Sequence, residues 1–288
     1  MSFIATLVAP DGLSAGDISA ACDVVRGTAG VLIDGVACDI ATDMAPAAAR
    51  AMLESALPHA DVIVQNAAHR TKRLLIADMD STMITVECID ELADYAGIKP
   101  QIAAITARAM RGELDFAAAL AERVALLAGL RENVIGQCLA TRVRPTAGAR
   151  TLVQTMKARA VRCVLVSGGF TRFADPVAAM IGFDVAIANV LEVEGGELTG
   201  RVIAPIVDSG TKLATLRAEC AELGIGTDAA LAIGDGANDI PMLQAAGLGV
   251  AYYGHPRAVA AAAAAIRVGD LTSLLWAMGI KRAEWISD

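Results

Sequence analysis

The stretch that decides the fold is Arg73-Leu-Leu-Ile-Ala-Asp78-Met-Asp80-Ser-Thr82, an apolar run that ends in two carboxylates. The run shows no alternation of polar and apolar residues, which is typical of a parallel strand buried on both faces. Ligands of open parallel sheets bind beyond the carboxyl ends of the strands. Asp78 and Asp80 can therefore serve there as a nucleophile and an acid–base group. A strand-end turn capped by an aspartate is the structural alternative.

Similar apolar runs recur along the chain, and helical stretches separate most of them. This alternation predicts an α/β fold with a doubly wound, Rossmann-like parallel sheet. Residues 83–144 are helical in pattern and predict a cap inserted after the first strand of that sheet, and residues 190–202 predict a hairpin. The alanine-rich residues 258–265 are expected to be helical. The further apolar runs are residues 161–167, 185–188, 229–235 and 248–252.

Residues 1–70 predict a separate unit with the element order β-α-β-β-α-β, which is that of a small ferredoxin-like α+β domain. Residues 67–72 are predicted to be a linker, so the expected domains are residues 1–70 and 71–288. Because no catalytic motif precedes Arg73, a chain that begins near Thr71 is expected to keep its activity. The predicted elements are a strand at 3–8, a helix from Ser14 to about Arg26, a hairpin of 31–34 and 36–40, a helix at 46–57 and a strand at 62–65.

The composition excludes several classes of protein. A formal net charge of −8 argues against general nucleic-acid binding. No apolar run approaches the ~20 residues that span a bilayer, and residues 1–4 lack the basic start of a signal peptide. The six cysteines are scattered without a Cys-x-x-Cys pair, so reduced thiols and a cytoplasmic location are expected, and a zinc site is not.

Three further motifs lie at predicted strand ends or helix starts. Gly234-Asp-Gly-Ala-Asn-Asp239 brings two aspartates that can meet the first pair around a hard cation such as magnesium. Ser167-Gly168-Gly169 offers a hydroxyl and backbone N–H groups to an anion. Lys212 precedes a predicted helix and by itself would be a surface lysine. Taken singly, the first motif has the alternative of a Gly/Asp-rich turn that caps the next helix, and the second that of a simple tight turn.

Together, these motifs occur in the order of the four motifs of the haloacid dehalogenase superfamily. Residues 73–280 resemble the phosphoserine phosphatases of that superfamily throughout. The resemblance implies a haloacid dehalogenase core with a helical cap, and a magnesium-dependent hydrolysis of O-phospho-L-serine to L-serine and phosphate, the last step of serine biosynthesis. Residues 1–70 resemble the ACT-like modules of some bacterial members, on element order and the Asp11-Gly12-Leu13 loop.

The resemblance also implies roles for single residues. Asp78 would attack phosphorus, and Asp80 would protonate the leaving oxygen and then activate water. Magnesium would be held by Asp78, the backbone carbonyl of Asp80 and Asp235, with Asp239 as a near or outer ligand. The groups that would neutralise or orient the phosphate are Ser167, the N–H of Gly168, Lys212 and Asn238.

The cap residues 105–127 are similar to those of the same family. By that resemblance Glu87 would meet the substrate ammonium and Arg123 its carboxylate, while Met110 and Phe116 would close the pocket. An α-amino acid needs both counter-charges, and arginine can bind a carboxylate with two hydrogen bonds. Without the resemblance, these four residues would be ordinary helical charges and core contacts.

Two other functions stay open at this point. One is a phosphotransferase, or a phosphatase of the same superfamily that acts on another small phosphorylated metabolite. The other is a catalytically inactive amino-acid sensor, against which the complete set of acidic residues and Lys212 argues. Residues 1–70 are expected to support a homodimer. A ligand such as serine at the Asp11-Gly12-Leu13 loop competes there with a plain turn.

Overall fold

A computed structural model describes residues 2–31, 33–110 and 113–286, except for the side chain of Met110. The described residues form one eleven-stranded mixed sheet with helices on its faces. The strands are β1 (Phe3–Val8), β2 (Thr28–Ala29), β3 (Ala37–Thr42), β4 (Asp61–Asn66), β5 (Leu74–Ala77), β6 (Arg162–Phe170), β7 (Val185–Glu194), β8 (Glu197–Ile203), β9 (Ala230–Gly234), β10 (Leu248–Tyr252) and β11 (Ala264–Ile266). Their order across the sheet is β2-β3-β1-β4-β11-β10-β9-β5-β6-β7-β8.

The α-helices of the described residues follow the predicted distribution along the chain. They are α1 (Ala15–Val25), α2 (Pro46–Ala56), α3 (Cys88–Tyr95), α4 (Lys99–Met110), α5 (Phe116–Ala125), α6 (Asn133–Arg142), α7 (Ala149–Ala158), α8 (Thr171–Ile181), α9 (Ser209–Glu222), α10 (Ile240–Ala245), α11 (Pro256–Ala261) and α12 (Ser273–Ala277). None of the described helices has both the length and the apolar character that crossing a membrane requires.

The N-terminal unit has the predicted ferredoxin-like arrangement. Strand β1 lies between β3 and β4 and is antiparallel to both. Ser14 caps α1, because its hydroxyl accepts the N–H of Asp17 while the Asp17 carboxylate accepts the N–H of Ser14. The predicted first strand of the hairpin is wrong. On the side away from β1, β3 pairs with β2, and among the described residues of 31–34 only Ile33 forms a bridge, to Ala37. Leu32 lies outside the described residues.

The predicted parallel core is confirmed for β10, β9, β5, β6 and β7, which pair with one another in parallel, and β11, which was not predicted, extends it in parallel beside β10. Strand β5 shows why its sequence is continuously apolar. Leu74 and Ile76 belong to the apolar cluster on one face of the sheet, and Leu75 and Ala77 belong to the cluster on the other. Both faces are covered, so neither set of alternate side chains meets water.

The cap consists of α3, α4, α5 and α6, as the helical pattern of residues 83–144 predicts. Its two connections to the core run side by side, because Ile84 forms an antiparallel bridge with Pro145. The predicted hairpin is also confirmed, with β7 continuing past the core sheet and returning as β8. These elements place the cap above the carboxyl ends of the core strands.

The junction between the N-terminal unit and the core differs from the sequence expectation. The alanine-rich run is helical only to Ala261, and Ala264–Ile266 forms β11. Ala265 of β11 pairs with Val62 of β4, so one continuous sheet runs through both parts of the chain. Alanine favours helices in isolation, but pairing with β4 and β10 buries β11 completely.

The predicted linker, residues 67–72, connects the two parts but is held in place. The Lys72 ammonium is buried and donates to the carbonyl oxygens of His69 and Asp228, at 2.7 and 3.1 Å. Arg70 pairs with Asp39 at 2.7 Å and donates to the carbonyl of Ala277 at 2.8 Å. The connection is therefore a fixed part of the structure.

Candidate active site

Lys212 joins two of the predicted acidic residues at the carboxyl edge of the sheet. Its Nζ lies 2.7 Å from Asp78 Oδ1 and 2.7 Å from Asp239 Oδ1. The lysine is fully buried in the first turns of α9, whose start is capped by Asp208. Burial lowers the pKa of Lys212, but the two carboxylates outweigh it and raise that pKa above its usual value. The buried ammonium therefore stays charged between two carboxylates.

Three carboxylates can converge on one point at this edge. Asp78, Asp235 and Asp239 offer oxygens that all lie within 4.8 Å of one another. The Asp239 Oδ2 atom accepts the N–H groups of Asp235 and Gly236, at 3.1 and 2.9 Å. A side chain at Gly234 would overlap the Asp239 carboxylate, so the glycine makes this close approach possible.

This cluster fits a hard divalent cation, because it offers carboxylate oxygens and carries more negative charge than one lysine balances. The protonation behaviour points the same way. Burial and the neighbouring Asp239 raise the pKa of Asp235 to about 6. Burial, with Asp239 next, also raises the pKa of Asp78 well above its usual value, although Lys212 opposes the shift. A bound cation would favour the ionised form of these carboxylates.

Asp80 lies apart from this cluster and faces the cap. Its Oδ1 accepts the N–H of Cys88 at 3.2 Å. A side chain at Gly169 would lie 2.9 Å from Asp80 Oδ2, so this carboxylate also borders the Ser167-Gly168-Gly169 motif. Burial, followed by the charge of Glu87, raises the pKa of Asp80 to about 7. Such a group can both give and take a proton near neutral pH.

The Ser167-Gly168-Gly169 motif is held by a residue that the sequence did not reveal. Ser167 is fully buried, and its Oγ accepts the N–H of Gly169 at 2.8 Å. The buried Asn189 donates to the Gly168 carbonyl at 2.8 Å and accepts the N–H of Val207 at 2.7 Å. The only sequence signal for Asn189 is a polar residue directly after the apolar run 185–188.

Thr82 is a second residue whose role was missed. It belongs to the sequence motif that begins at Asp78, and its hydroxyl donates to Asp235 Oδ1 on the other side of the site, at 3.3 Å. The predicted Asn238 lies beside this pair of loops, and a side chain at Gly236 would overlap the Asn238 amide. The glycine-containing loop after β9 is thus tightly folded around its own polar side chains.

The structure also brings predicted cap residues to the site. The ring of Phe116 lies over Gly168, where a side chain would approach it to 3.0 Å. Glu87 accepts the Ser81 hydroxyl at 2.6 Å. Arg123 is half-buried on α5 and makes no ion pair with a carboxylate of the described residues. Burial lowers the pKa of Arg123, while Asp90, Glu87 and Asp80 raise it. The side chain of Met110 lies outside the described residues.

A doubly wound core, a helical cap inserted after its first strand, and paired aspartates at the end of that strand together define the class. The chain belongs to the haloacid dehalogenase-like hydrolase family, whose family model matches residues 75–244.

Known relatives agree with this assignment. A phosphoserine phosphatase of Mycobacterium tuberculosis is 45% identical over 228 residues, which cover 78% of this chain and 56% of that protein. The chain thus spans about half the length of that relative. A phosphoserine phosphatase of Polaromonas is 46% identical over 208 residues, which cover 70% of this chain and 88% of that protein.

A similar solved structure is that of a haloacid dehalogenase family hydrolase from Salmonella enterica serovar Typhi. It is 28% identical, has a TM-score of 0.87, and covers 96% of this chain and 99% of its own. Because the match covers nearly the whole chain, it includes the N-terminal unit as well as the core and cap.

Proposed function

We propose that the protein hydrolyses O-phospho-L-serine to L-serine and phosphate through a phosphoaspartate on Asp78. The observation that carries the proposal is the Asp78 carboxylate, fixed 2.7 Å from the buried Lys212 at the strand edge. The substrate follows from the relatives, which are phosphoserine phosphatases, and from the charges of the cap. The alternatives within the superfamily share this chemistry and differ in substrate or acceptor.

The first step uses the oxygen of Asp78 that the protein leaves free. Oδ1 accepts the Met79 N–H at 2.8 Å and lies 2.7 Å from Lys212, whereas Oδ2 makes no hydrogen bond with the described residues. Oδ2 attacks phosphorus, and the bond between phosphorus and the seryl oxygen breaks. Asp80 gives its proton to that oxygen, which is otherwise a poor leaving group.

The second step regenerates the carboxylate. A water molecule attacks phosphorus, Asp80 takes its proton, and the bond from phosphorus to Asp78 Oδ2 breaks. A pKa of about 7 suits both tasks, because Asp80 then exchanges a proton at little cost near neutral pH. The cap excludes bulk water during these steps.

We propose Mg²⁺ as the cation of the carboxylate cluster, held by Asp78, Asp235 and the backbone carbonyl of Asp80. When bound, it would neutralise charge on the phosphoryl group. The two oxygens of Asp239 already accept hydrogen bonds from Lys212 and from the loop after β9. Asp239 is therefore assigned as an outer ligand that holds the site in shape.

Phosphoryl oxygens are bound by Ser167, the N–H of Gly168 and Lys212, and Asn238 orients the phosphate or the metal shell. These groups concentrate positive charge and donors where negative charge gathers during transfer. Because Lys212 is held by two carboxylates, its ammonium stays in place without a substrate.

Glu87 and Arg123 distinguish phosphoserine from other phosphate esters, with Met110 and Phe116 closing the pocket. Arg123 supports this assignment, because it is half-buried without a carboxylate partner among the described residues. A substrate carboxylate would give that charge the partner it lacks. The six cysteines are free, as is typical of a reducing compartment, and we place the reaction in the cytoplasm.

The test is a phosphate-release screen over phosphorylated metabolites with magnesium present, followed by variants of the cap. Arg123→Met and Glu87→Gln should each lower kcat/KM for phosphoserine roughly 10–150-fold, which corresponds to a loss of about 1.5–3 kcal/mol of transition-state stabilisation. Hydrolysis of an aryl phosphate, which has no amino-acid group, should change little. Arg142→Met is the matched control, because Arg142 pairs with Glu91 at 2.7 Å within the cap.

Each other outcome identifies a rival function. Equal losses on both substrates would show that Glu87 and Arg123 support the cap fold and not recognition. Release from another metabolite but not from phosphoserine would show a different phosphatase of the superfamily. Phosphate transfer to an added alcohol would show a phosphotransferase, and no release from any ester would show an inactive sensor.

A further inference from the structure

Three loops at the carboxyl edge of the sheet, which follow β9, β10 and β11, are joined in a row. The row begins at Asp235, whose backbone carbonyl accepts the N–H of His255 at 2.9 Å. Tyr253 lies in the same loop as His255. Its N–H donates to the carbonyl of Ile266 at 2.9 Å, and its hydroxyl donates to the carbonyl of Gly269 at 3.2 Å. The loop that carries Asp235 is thus linked to the loop after β11.

The row ends on a carboxylate of the N-terminal unit. Asp61 is the first residue of β4 and is 2% exposed. Its Oδ1 accepts the N–H groups of Arg267 and Val268, at 2.7 and 3.1 Å, and its Oδ2 accepts that of Gly269 at 2.8 Å. One buried carboxylate therefore satisfies three consecutive backbone donors of the loop after β11.

Two glycines allow this close fit. A side chain at Gly269 would lie 2.7 Å from Asp61 Oδ2. A side chain at Gly254 would lie 3.0 Å from the carbonyl oxygen of Asp235. Between them, Tyr253 adopts a φ of 43°, a left-handed conformation that a side chain of this size keeps only when its surroundings hold it. The three loops between Asp61 and Asp235 are therefore closely packed against one another.

We infer that Asp61 is a positioning residue for the catalytic centre. Through residues 267–269 and 253–255 it fixes the backbone of Asp235, so the N-terminal unit helps to shape the metal-binding edge of the core. Asp61 itself touches neither substrate nor metal. The inference rests on the proposed function, in which Asp235 is a metal ligand.

A purely structural explanation is that Asp61 only fastens the N-terminal unit to the core. Arg50 provides the comparison, because it crosses the same junction at another point. Its Nη1 donates to the carbonyl of Ala262 at 2.6 Å, at the end of α11, and its Nε pairs with Glu54 at 2.8 Å. Glu54 also pairs with the side chain of Arg267 at 3.2 Å, but neither of these Arg50 contacts involves the backbone N–H groups of residues 267–269 that Asp61 binds. If attachment were the whole role of Asp61, loss of Arg50 and loss of Asp61 would have the same consequences.

The experiment compares Asp61→Asn, Tyr253→Phe, their double variant and Arg50→Met in the full chain. Calorimetric titration measures Mg²⁺ binding without substrate, and phosphate release gives the magnesium concentration for half-maximal rate. Asp61→Asn should weaken Mg²⁺ binding about 3- to 10-fold, below the ~10–100-fold effect of removing a direct partner of a ligand. Tyr253→Phe should weaken it less, and the double variant should match Asp61→Asn, because both act on one row. Arg50→Met should bind Mg²⁺ like the wild type.

Wild-type Mg²⁺ affinity in Asp61→Asn would overturn the inference, and so would equal weakening in Asp61→Asn and Arg50→Met. If Asp61→Asn does not fold, Tyr253→Phe decides, because Tyr253 is 56% exposed and its change removes one hydroxyl. Unchanged Mg²⁺ affinity in Tyr253→Phe would then refute the inference that the three loops position Asp235. The proposed function fails separately, if the wild-type protein releases no phosphate from phosphoserine. In that case the calorimetric comparison of Mg²⁺ affinities remains valid, because it uses no substrate.

Discussion

Replacing Lys212 with methionine tests the electrostatic centre of the site. The side chain is fully buried, with its Nζ 2.7 Å from each of Asp78 and Asp239. Methionine keeps much of the apolar volume, so the variant chiefly removes the charge and leaves two buried carboxylates without their cation. Breaking such a pair costs about 3–5 kcal/mol. At roughly 2–4 °C per kcal/mol for a chain of about this size, unfolding should occur ~6–20 °C earlier.

The loss should grow with pH, and its sign follows from the carboxylates. Burial and the neighbouring Asp239 already raise the pKa of Asp78, and loss of Lys212 raises that pKa further, so protonation of Asp78 relieves its repulsion with Asp239. A carboxylate with a raised folded-state pKa stabilises the fold at low pH, and this contribution is lost as pH rises through that pKa. The difference in free energy of unfolding between variant and wild type should therefore be larger at pH 8 than at pH 5.

The assay is thermal unfolding followed by circular dichroism in chelator, with two further proteins. Lys212→Met/Asp239→Asn removes one of the two stranded carboxylates and should recover much of the stability without recovering turnover. Lys72→Met is the matched control, since Lys72 is also buried but donates to carbonyl oxygens. Burial lowers the pKa of Lys72 to about 8, so its loss removes less charge at pH 8.

Two results would refute this account of Lys212. One is an unfolding temperature within about 2 °C of wild type at pH 8, which corresponds to less than ~1 kcal/mol. The other is a double variant no more stable than Lys212→Met, because unpaired charge would then not be the cause of the loss.

Three further predictions concern turnover. Asp78→Asn should abolish phosphate release while leaving the circular dichroism spectrum unchanged, and appreciable turnover in pure variant would exclude Asp78 as the nucleophile. The rate on phosphoserine should fall as pH rises through about 7, because Asp80, with its raised pKa, carries the leaving-group proton only below that value. If a slowly active Asp80→Asn protein kept the same fall in rate above about pH 7, another group would be its cause. Chelation should stop turnover and Mg²⁺ should restore it, whereas Ca²⁺, with its larger and looser coordination, should restore little; full activity after exhaustive chelation would rule out the metal site.

The core sheet and the cap could be predicted because their sequence signals are local. A strand buried on both faces must be apolar at every position, and β5, with all four residues buried, shows this directly. The candidate site residues follow such strands at their carboxyl ends, so the sequence alone predicts that Asp78, Ser167 and Asp235 lie on one edge of the sheet. By itself Lys212 would be a surface lysine, and only the family resemblance assigned it to the site; its complete burial was not predicted.

The missed features depend on contacts between distant parts of the chain. Strand β11 has the composition of a helix, and it is a strand because β4 and β10 lie on either side of it. Asn189 differs from any other polar residue only through its bonds to Gly168 and Val207. Asp61 meets Arg267 across 206 positions of sequence, and such a separation leaves no periodic trace. Secondary-structure propensity and residue spacing report on residues that are close in sequence, not on contacts between residues that are far apart in it.

The boundary near residue 70 separates the sequence motifs from the residues before them, but structural contacts continue across it. All the predicted catalytic residues follow Arg73, and for that reason the sequence favours an independent catalytic part. Yet a chain without residues 1–70 would leave the β11 edge unpaired and the backbone donors of residues 267–269 without Asp61. An uncovered strand edge promotes association with other chains. These donors would exchange the fixed Asp61 carboxylate for mobile water, so the loops that lead back to Asp235 would lose the hydrogen bonds that hold them. We therefore expect the metal-binding edge, whose proposed ligands all follow Arg73, to depend for its shape on residues 1–70, in which no catalytic motif lies.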